Sequence, residues 1–333
     1  MSPLQSVAFG NYLLLDRLAE GGMAEVWRAK MFGGGGLERL VALKRILPAL
    51  ADAEEFIAMF VDEAKIGFQL IHPNIVQTYE VGEHDGVHFL SLEYIPGKSL
   101  GDLLEQCQRE GRPVPLPLAC YCIAMLCEGL EYAHRKRDRN GRELHIVHRG
   151  LSLQDVLVSY EGEVKVIDFG IAKAAGRRTQ TQPGIIKGKL GYLSPEQIRG
   201  EPVDGRADVF TVGVCLYELL TGRRPFVGAH EVDTLRQICD AQALPPSTHD
   251  PRIPSMLDQI VLKALARDVS ARYRTAGEFG EDLQRFLALD PVGFGRESLR
   301  QYLQAHFAEE VKREARWRQE VANLPPLKGD ARG

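Results

Sequence analysis

Short apolar stretches of strand character, broken by polar turns, fill the first ninety residues, and longer stretches with helical spacing follow. Residues 11–18 predict a strand, Glu25–Ala29 a second one leaving the turn at Gly21-Gly22, and Leu40–Lys44 a third, with Gly33–Gly36 as a flexible connection. A helix is predicted from near Asp52, with Glu55 three residues on as a capping box, and Phe56, Met59, Phe60, Ile66 and Leu70 form one apolar stripe along it. Glu63 falls inside that stripe. A carboxylate on a buried face needs a partner, because burying it alone is costly, and Lys44 is the candidate. His72-Pro73 ends the helix. Two strands follow, Gln77–Gly82 and Val87–Leu92, around the turn residues His84-Asp85-Gly86. Helices are then predicted over Leu100–Arg109 and Leu118–Arg135. At the far end Arg296–Val321 reads as one amphipathic helix with Leu299, Leu303, Phe307, Val311 and Ala315 on its apolar face.

Composition narrows the functional classes. A chain of 333 residues with 44% hydrophobic content has material for two packed units or one large bilobed one. Its net charge of -4 points to neither nucleic acid nor an anionic membrane as a partner. The strongest apolar run, Val209–Leu220, is broken by Gly213 and Glu218 and falls short of the roughly 20 residues of a spanning helix. The first residues carry no signal pattern, so the expectation is a cytoplasmic protein without membrane attachment. Arg135–Arg142 is basic, but it reads as a solvated turn with Asn140-Gly141 at its tip rather than a docking patch. Cys107, Cys120, Cys122 and Cys127 lie close in sequence without the paired Cys-x2-Cys spacing of a zinc site, and are read as reduced, buried small hydrophobes.

The stretches that carry chemistry are His148-Arg149-Gly150-Leu151-Ser152-Leu153-Gln154-Asp155, Asp168-Phe169-Gly170, Val41-Ala42-Leu43-Lys44 and Ser194-Pro195-Glu196. Together they resemble the catalytic loop, metal-binding loop, nucleotide lysine and activation-segment end of eukaryotic-type (bacterial Hanks-type) Ser/Thr protein kinases. The likeness runs in the right order over about residues 11 to 288. It implies an α+β, bilobed protein-kinase-like fold. A leader (1–10) would precede an N-lobe of small antiparallel sheet and one helix (11–95), a large helical C-lobe (96–288) and a helical extension with a disordered tail (289–333). By the same resemblance ATP is held by the hairpin positions Ala19, Gly21 and Ala24, by Lys44 paired with Glu63, by the backbone of Glu93 and Ile95, and by Val26, Ala42 and Leu157 around the adenine. Asp155 and Asp168 would take Mg2+ or Mn2+. Asp208 would hold the catalytic-loop backbone, Arg272 would pair with Glu196, and Arg149 would receive a phosphorylated Thr179 or Thr181.

Several positions depart from the family pattern. Gly150 stands where the family has its catalytic aspartate, Asp155 where it has an asparagine, and Lys189 where a threonine meets the substrate; Ser152 also replaces a common lysine. The family aspartate orients and deprotonates the attacking hydroxyl, and glycine can do neither. The expectation is therefore a pseudokinase that binds ATP with a divalent metal and serves as a regulatory or scaffolding partner of active Ser/Thr kinases or other signalling proteins. A weakly active Ser/Thr kinase and an interaction module without nucleotide are the alternatives. The last helix is expected to pack on its own C-lobe, with a partner-binding surface as the rival reading.

Overall fold

The uninterrupted apolar run Tyr12-Leu13-Leu14-Leu15 is a strand buried on both faces, which is why it does not alternate. The computed structural model describes residues 6–50, 53–169, 190–240 and 242–324, and the chain divides into two units. The first comprises the chain up to Gln69, Val76–Pro96 and the chain from Leu303 on. Its strands are β1 (Val7–Phe9), β2 (Tyr12–Glu20), β3 (Ala24–Phe32), β4 (Glu38–Ile46), β5 (Thr78–His84) and β6 (Val87–Glu93). They form one antiparallel sheet in the order β1-β2-β3-β4-β6-β5. Residues 7–9, expected as part of a leader, are a strand because Phe9 has a buried seat. Its ring meets Phe89 edge-on at 5.5 Å, and Tyr12 meets the same ring at 5.4 Å.

One face of the sheet packs Tyr12, Leu14, Ala29, Val41 and Leu43 against Phe89. On the other, Ile46 and Leu90 receive Phe60 and Ala64 of α1 (Glu54–Gly67). The N-cap of α1 is Ala53, without a side-chain cap bond, in place of the expected Asp52, which lies outside the described residues. The helix also stops short of Leu70. Gly67 ends it in a tight contact, where a Cβ would lie 2.4 Å from the Thr78 hydroxyl.

The second unit, Leu70–Ile75 and Gly97–Tyr302, is mostly helical. A small sheet of β7 (Gly97–Ser99), β8 (Val156–Ser159) and β9 (Val164–Val166) accompanies α2 (Leu100–Arg109), α3 (Leu116–His134), α4 (Pro195–Arg199), α5 (Gly205–Thr221), α6 (Glu231–Asp240), α7 (Ser255–Ala264) and α8 (Ala276–Leu287). Ser99 caps α2 and Ser194 caps α4, each in a capping box. Every residue from Ala207 to Tyr217 of α5 is buried, so this apolar run is a core helix. Gly213 within it admits α7 closely, since a Cβ there would lie 2.9 Å from Ala264 Cβ. Helix α3 is more apolar than expected. It is 19 residues long with mean hydropathy 1.3, long and apolar enough to cross a membrane by that measure, but it packs on α5 and α8 with 61% of that window buried.

Arg135–Arg142 forms the expected turn, with Asp138 accepting from the Asn140 and Arg142 N–H groups, Gly141 at φ +78°, and Arg137 ion-paired to Glu143 at 2.7 Å. Cys107, Cys120, Cys122, Cys127 and Cys215 are buried free thiols, and no metal-binding cluster occurs among the described residues.

The expected single C-terminal helix is two, α9 (Arg296–His306) and α10 (Ala308–Ala322), with Phe307 non-helical between them at φ -123° and ψ 34°. Leu299, Leu303 and Phe307 are buried as expected. The break shifts the face that follows, so Ala315 is exposed and the inward positions of α10 are Glu314, Trp317 and Val321. Through Arg296 to the Glu161 carbonyl (3.0 Å) and Tyr302 to Cys107 Sγ (3.4 Å), α9 attaches to the helical unit. By contrast α10 belongs to the sheet unit. Val321 joins Leu13 and Leu15, with Phe32, Leu40 and Trp317 around them.

Candidate functional site

In the sheet unit, β2 and β3 run to the hairpin tip with Ala19 opposite Val26 and Glu20 opposite Glu25, and the Gly21 N–H donates to the Ala24 carbonyl at 2.9 Å. β3 then pairs with β4 so that Val26 faces Lys44 and Arg28 faces Ala42. Alternation puts Val26, Ala42 and Lys44 on the sheet face that also carries α1. Lys44 Nζ lies 2.6 Å from Glu63 Oε1, both residues being more than nine-tenths buried, so the carboxylate in the apolar stripe has the partner the sequence assigned it. A buried pair of this kind is costly to break from either side. At the end of β6 the Glu93 N–H donates to the Gln77 carbonyl at 2.8 Å, and Tyr94 and Ile95 leave the sheet.

In the helical unit the loop from His148 to Asp155 is fixed at both ends. Asp208, from the buried first turn of α5, accepts from the backbone N–H of His148 at 2.8 Å and of Arg149 at 2.9 Å, and meets His134 Nε2 at 2.8 Å. Burial alone would raise the Asp208 pKa. The His134 hydrogen bond and the nearby His134 and His148 outweigh it, and the carboxyl sits below its ordinary value. Gln197 Nε2 donates to the Arg149 carbonyl at 2.7 Å, while its Oε1 completes the Ser194 cap. The His148 ring bonds the Ile167 carbonyl at 2.9 Å and packs against Phe169 at 4.9 Å. Arg149 and Asp168 have left-handed backbones at φ +66° and +61°, a conformation a non-glycine residue adopts only when its surroundings impose it.

At the other end Ser152 Oγ donates to Asp155 Oδ2 at 2.7 Å, and the Ile167 N–H donates to the Asp155 carbonyl at 2.9 Å. That backbone bond brings Asp155, just before β8, beside the residue preceding Asp168, just after β9. Leu157 is half-buried in β8. Glu196 and Arg272 form a buried two-bond pair at 2.7 and 2.9 Å, with Arg272 also donating to the Ala266 and Arg206 carbonyls. Thr179, Thr181, Lys189 and Gly170 lie outside the described residues. His134 and Gln197 were missed by sequence reasoning. A histidine closing a largely apolar helix, and a glutamine at the third position of a capping box, were the available signals.

These residues fit a magnesium nucleotide. Mg2+ is commonly held by one or two carboxylates together with phosphate oxygens, and Asp155 and Asp168 could supply two hard oxygen ligands on adjoining backbone. Asp155 is 5% exposed, and Ser152 fixes one of its oxygens.

The protein kinase domain family model matches residues 12–280. The chain belongs to the protein kinase family. This kinase domain is 41% identical over 302 residues to the tyrosine-protein kinase MasK of Myxococcus xanthus, covering 91% of this chain and 47% of that protein. It is 38% identical over 280 residues to the serine/threonine-protein kinase PknB of Mycobacterium leprae, covering 83% and 43%. With PrkC of Bacillus subtilis it shares 33% over 275 residues, covering 83% and 40%. The chain thus spans less than half the length of these curated relatives. The PknI kinase domain of Mycobacterium tuberculosis matches in fold, with a TM-score of 0.62 at 24% identity, covering 86% of this chain and 99% of that one. In the kinase domain described here the sheet unit is the N-lobe and the helical unit the C-lobe, an α+β architecture as expected.

Proposed function

We propose that this chain is a pseudokinase domain that takes ATP with Mg2+ or Mn2+ and acts as a regulatory or scaffolding partner of active Ser/Thr kinases. The observation that carries the reading is the state of the catalytic loop around position 150. Asp208 fixes the backbone of His148 and Arg149, Gln197 fixes the Arg149 carbonyl, and the next residue is Gly150. The loop is held in place up to the residue that has no side chain to orient or deprotonate a hydroxyl. General-base assistance of that kind is worth about 10² to 10⁴ in rate. ATP would supply a γ-phosphoryl group. Lys44, held by Glu63, would bind the phosphates, and Asp155 and Asp168 would hold the metal.

Asp155 does not stand in for the missing base. It lies five residues on, is nearly fully buried, and is bonded to Ser152. Against this, the Lys44–Glu63 pair is intact, which supports weak phosphotransfer to protein hydroxyls as the second reading. Transfer from labelled ATP to a generic protein substrate separates them. The expected result is no transfer above that of Asp168→Ala in either metal. Transfer by the natural chain that disappears in Asp168→Ala would reverse the assignment.

A further inference from the structure

The helix α10 does more than cover an apolar seam. Its Trp317 ring lies 3.9 Å from the Arg28 guanidinium carbon, and its Glu314 accepts from Arg28 Nη1 at 3.1 Å and from the Tyr94 hydroxyl at 3.0 Å. Tyr94 in turn packs at 6.1 Å from Trp317 and receives a bond from Arg28 at 3.3 Å. Asp16 holds Arg28 from the other side at 2.8 and 2.9 Å. The C-terminal end of α10 is fastened by Lys30, whose ammonium donates to the Val321 carbonyl at 3.1 Å and pairs with Glu38 at 2.8 Å.

The sheet register gives this cluster its significance. Arg28 is paired directly with Ala42, and Ala42 with Leu92, so the clamped arginine sits on the same face as Val26, Ala42 and Lys44. Tyr94 lies between Glu93 and Ile95, and no sheet pairing holds it. Its side-chain hydroxyl is tied to a helix more than two hundred residues away in sequence.

We propose that α10 is a strap whose Glu314 and Trp317 are positioning residues for the 93–95 segment, so that releasing the helix loosens that segment. The consequence for adenine binding rests on the nucleotide reading above. Trp317 Nε1 is buried without a hydrogen-bond partner, so the residue acts through its ring and not its N–H. Phenylalanine should therefore largely replace it, and alanine should not.

The test is hydrogen–deuterium exchange on the full chain without nucleotide, comparing the natural protein with E314Q, W317A and W317F. Loss of the cation–ring contact or of the charge-assisted bonds should speed exchange in peptides covering 92–97 roughly tenfold in W317A and E314Q. W317F should stay near the natural protein and α5 should be unchanged. ATP titration of the same proteins should show a weaker Kd in W317A by a similar factor. Unchanged exchange over 92–97 in both variants, with peptides of 308–324 exchanging fast, overturns the strap. Equal acceleration in α5 also overturns it, because that pattern is general destabilisation. An unchanged Kd despite fast exchange over 92–97 removes the positioning role. If the natural protein binds no ATP, the nucleotide reading fails and the exchange pattern alone decides the strap.

Discussion

Replacing Asp208 by alanine should both destabilise the C-lobe and unfasten the loop that carries Gly150. The carboxylate is 1% exposed and serves three partners, the N–H groups of His148 and Arg149 and the His134 ring. Alanine leaves two backbone donors buried without acceptors, at about 1–3 kcal/mol each, and removes a buried charge from beside His134. The sum falls near the about 3–5 kcal/mol found when one member of a buried pair is removed. For a unit of this size that lowers the thermal midpoint by roughly 6–20 °C. Asparagine keeps one acceptor and should fall between. Despite burial, the His134 hydrogen bond holds the folded Asp208 carboxyl below its ordinary value, so its contribution is fully present above that ordinary value and is lost as pH falls through the lowered folded value. Unfolding midpoints measured as pH falls from 7 should therefore converge between Asp208→Asn and the natural protein at the acid end. A loss below about 1 kcal/mol at pH 7 for Asp208→Ala, with unchanged exchange at residues 148–150, would refute the anchoring argument.

Lys44→Ala should abolish any thermal shift that ATP with Mg2+ or Mn2+ produces, each protein being compared with and without nucleotide. A retained shift would place the phosphates elsewhere. Gly150→Asp combined with Asp155→Asn should raise phosphoryl transfer by about 10² or more over the natural chain, measured on a generic protein substrate; no gain would locate the block beyond the catalytic loop. In the folded protein a thiol reagent should label Cys239 quickly and leave the five buried cysteines until unfolding. Cys239 is the half-exposed thiol, whereas burial pushes Cys120 up to about 12 and raises Cys122 and Cys127 further. Fast labelling of several thiols would contradict the packing of α3.

The parts legible in the sequence are those whose signal is local. The Lys44–Glu63 pair follows from a carboxylate inside an apolar stripe, and Glu196 with Arg272 and Asp208 with the loop backbone follow from motif positions. What was not legible depends on partners distant in the chain. His134 and Gln197 reveal their roles only once Asp208 and Arg149 are beside them. The break at Phe307 moved the inward face of α10, so Ala315, expected on the apolar face, is exposed, and Glu314 and Trp317 point inward. The doubly buried strand Tyr12–Leu15 carried the clue, since an uninterrupted apolar run in a sheet needs a cover on each side, but nothing local named that cover.

Arg28 and Glu314 are 286 residues apart, and Leu13 and Leu15 wait somewhat longer for Val321. At a translation rate of about 5–20 residues per second, the nascent N-lobe holds an uncovered apolar strip and an unclamped arginine for roughly 15–60 s after its strands leave the ribosome. During synthesis that strip therefore stays open to solvent until α10 has been made.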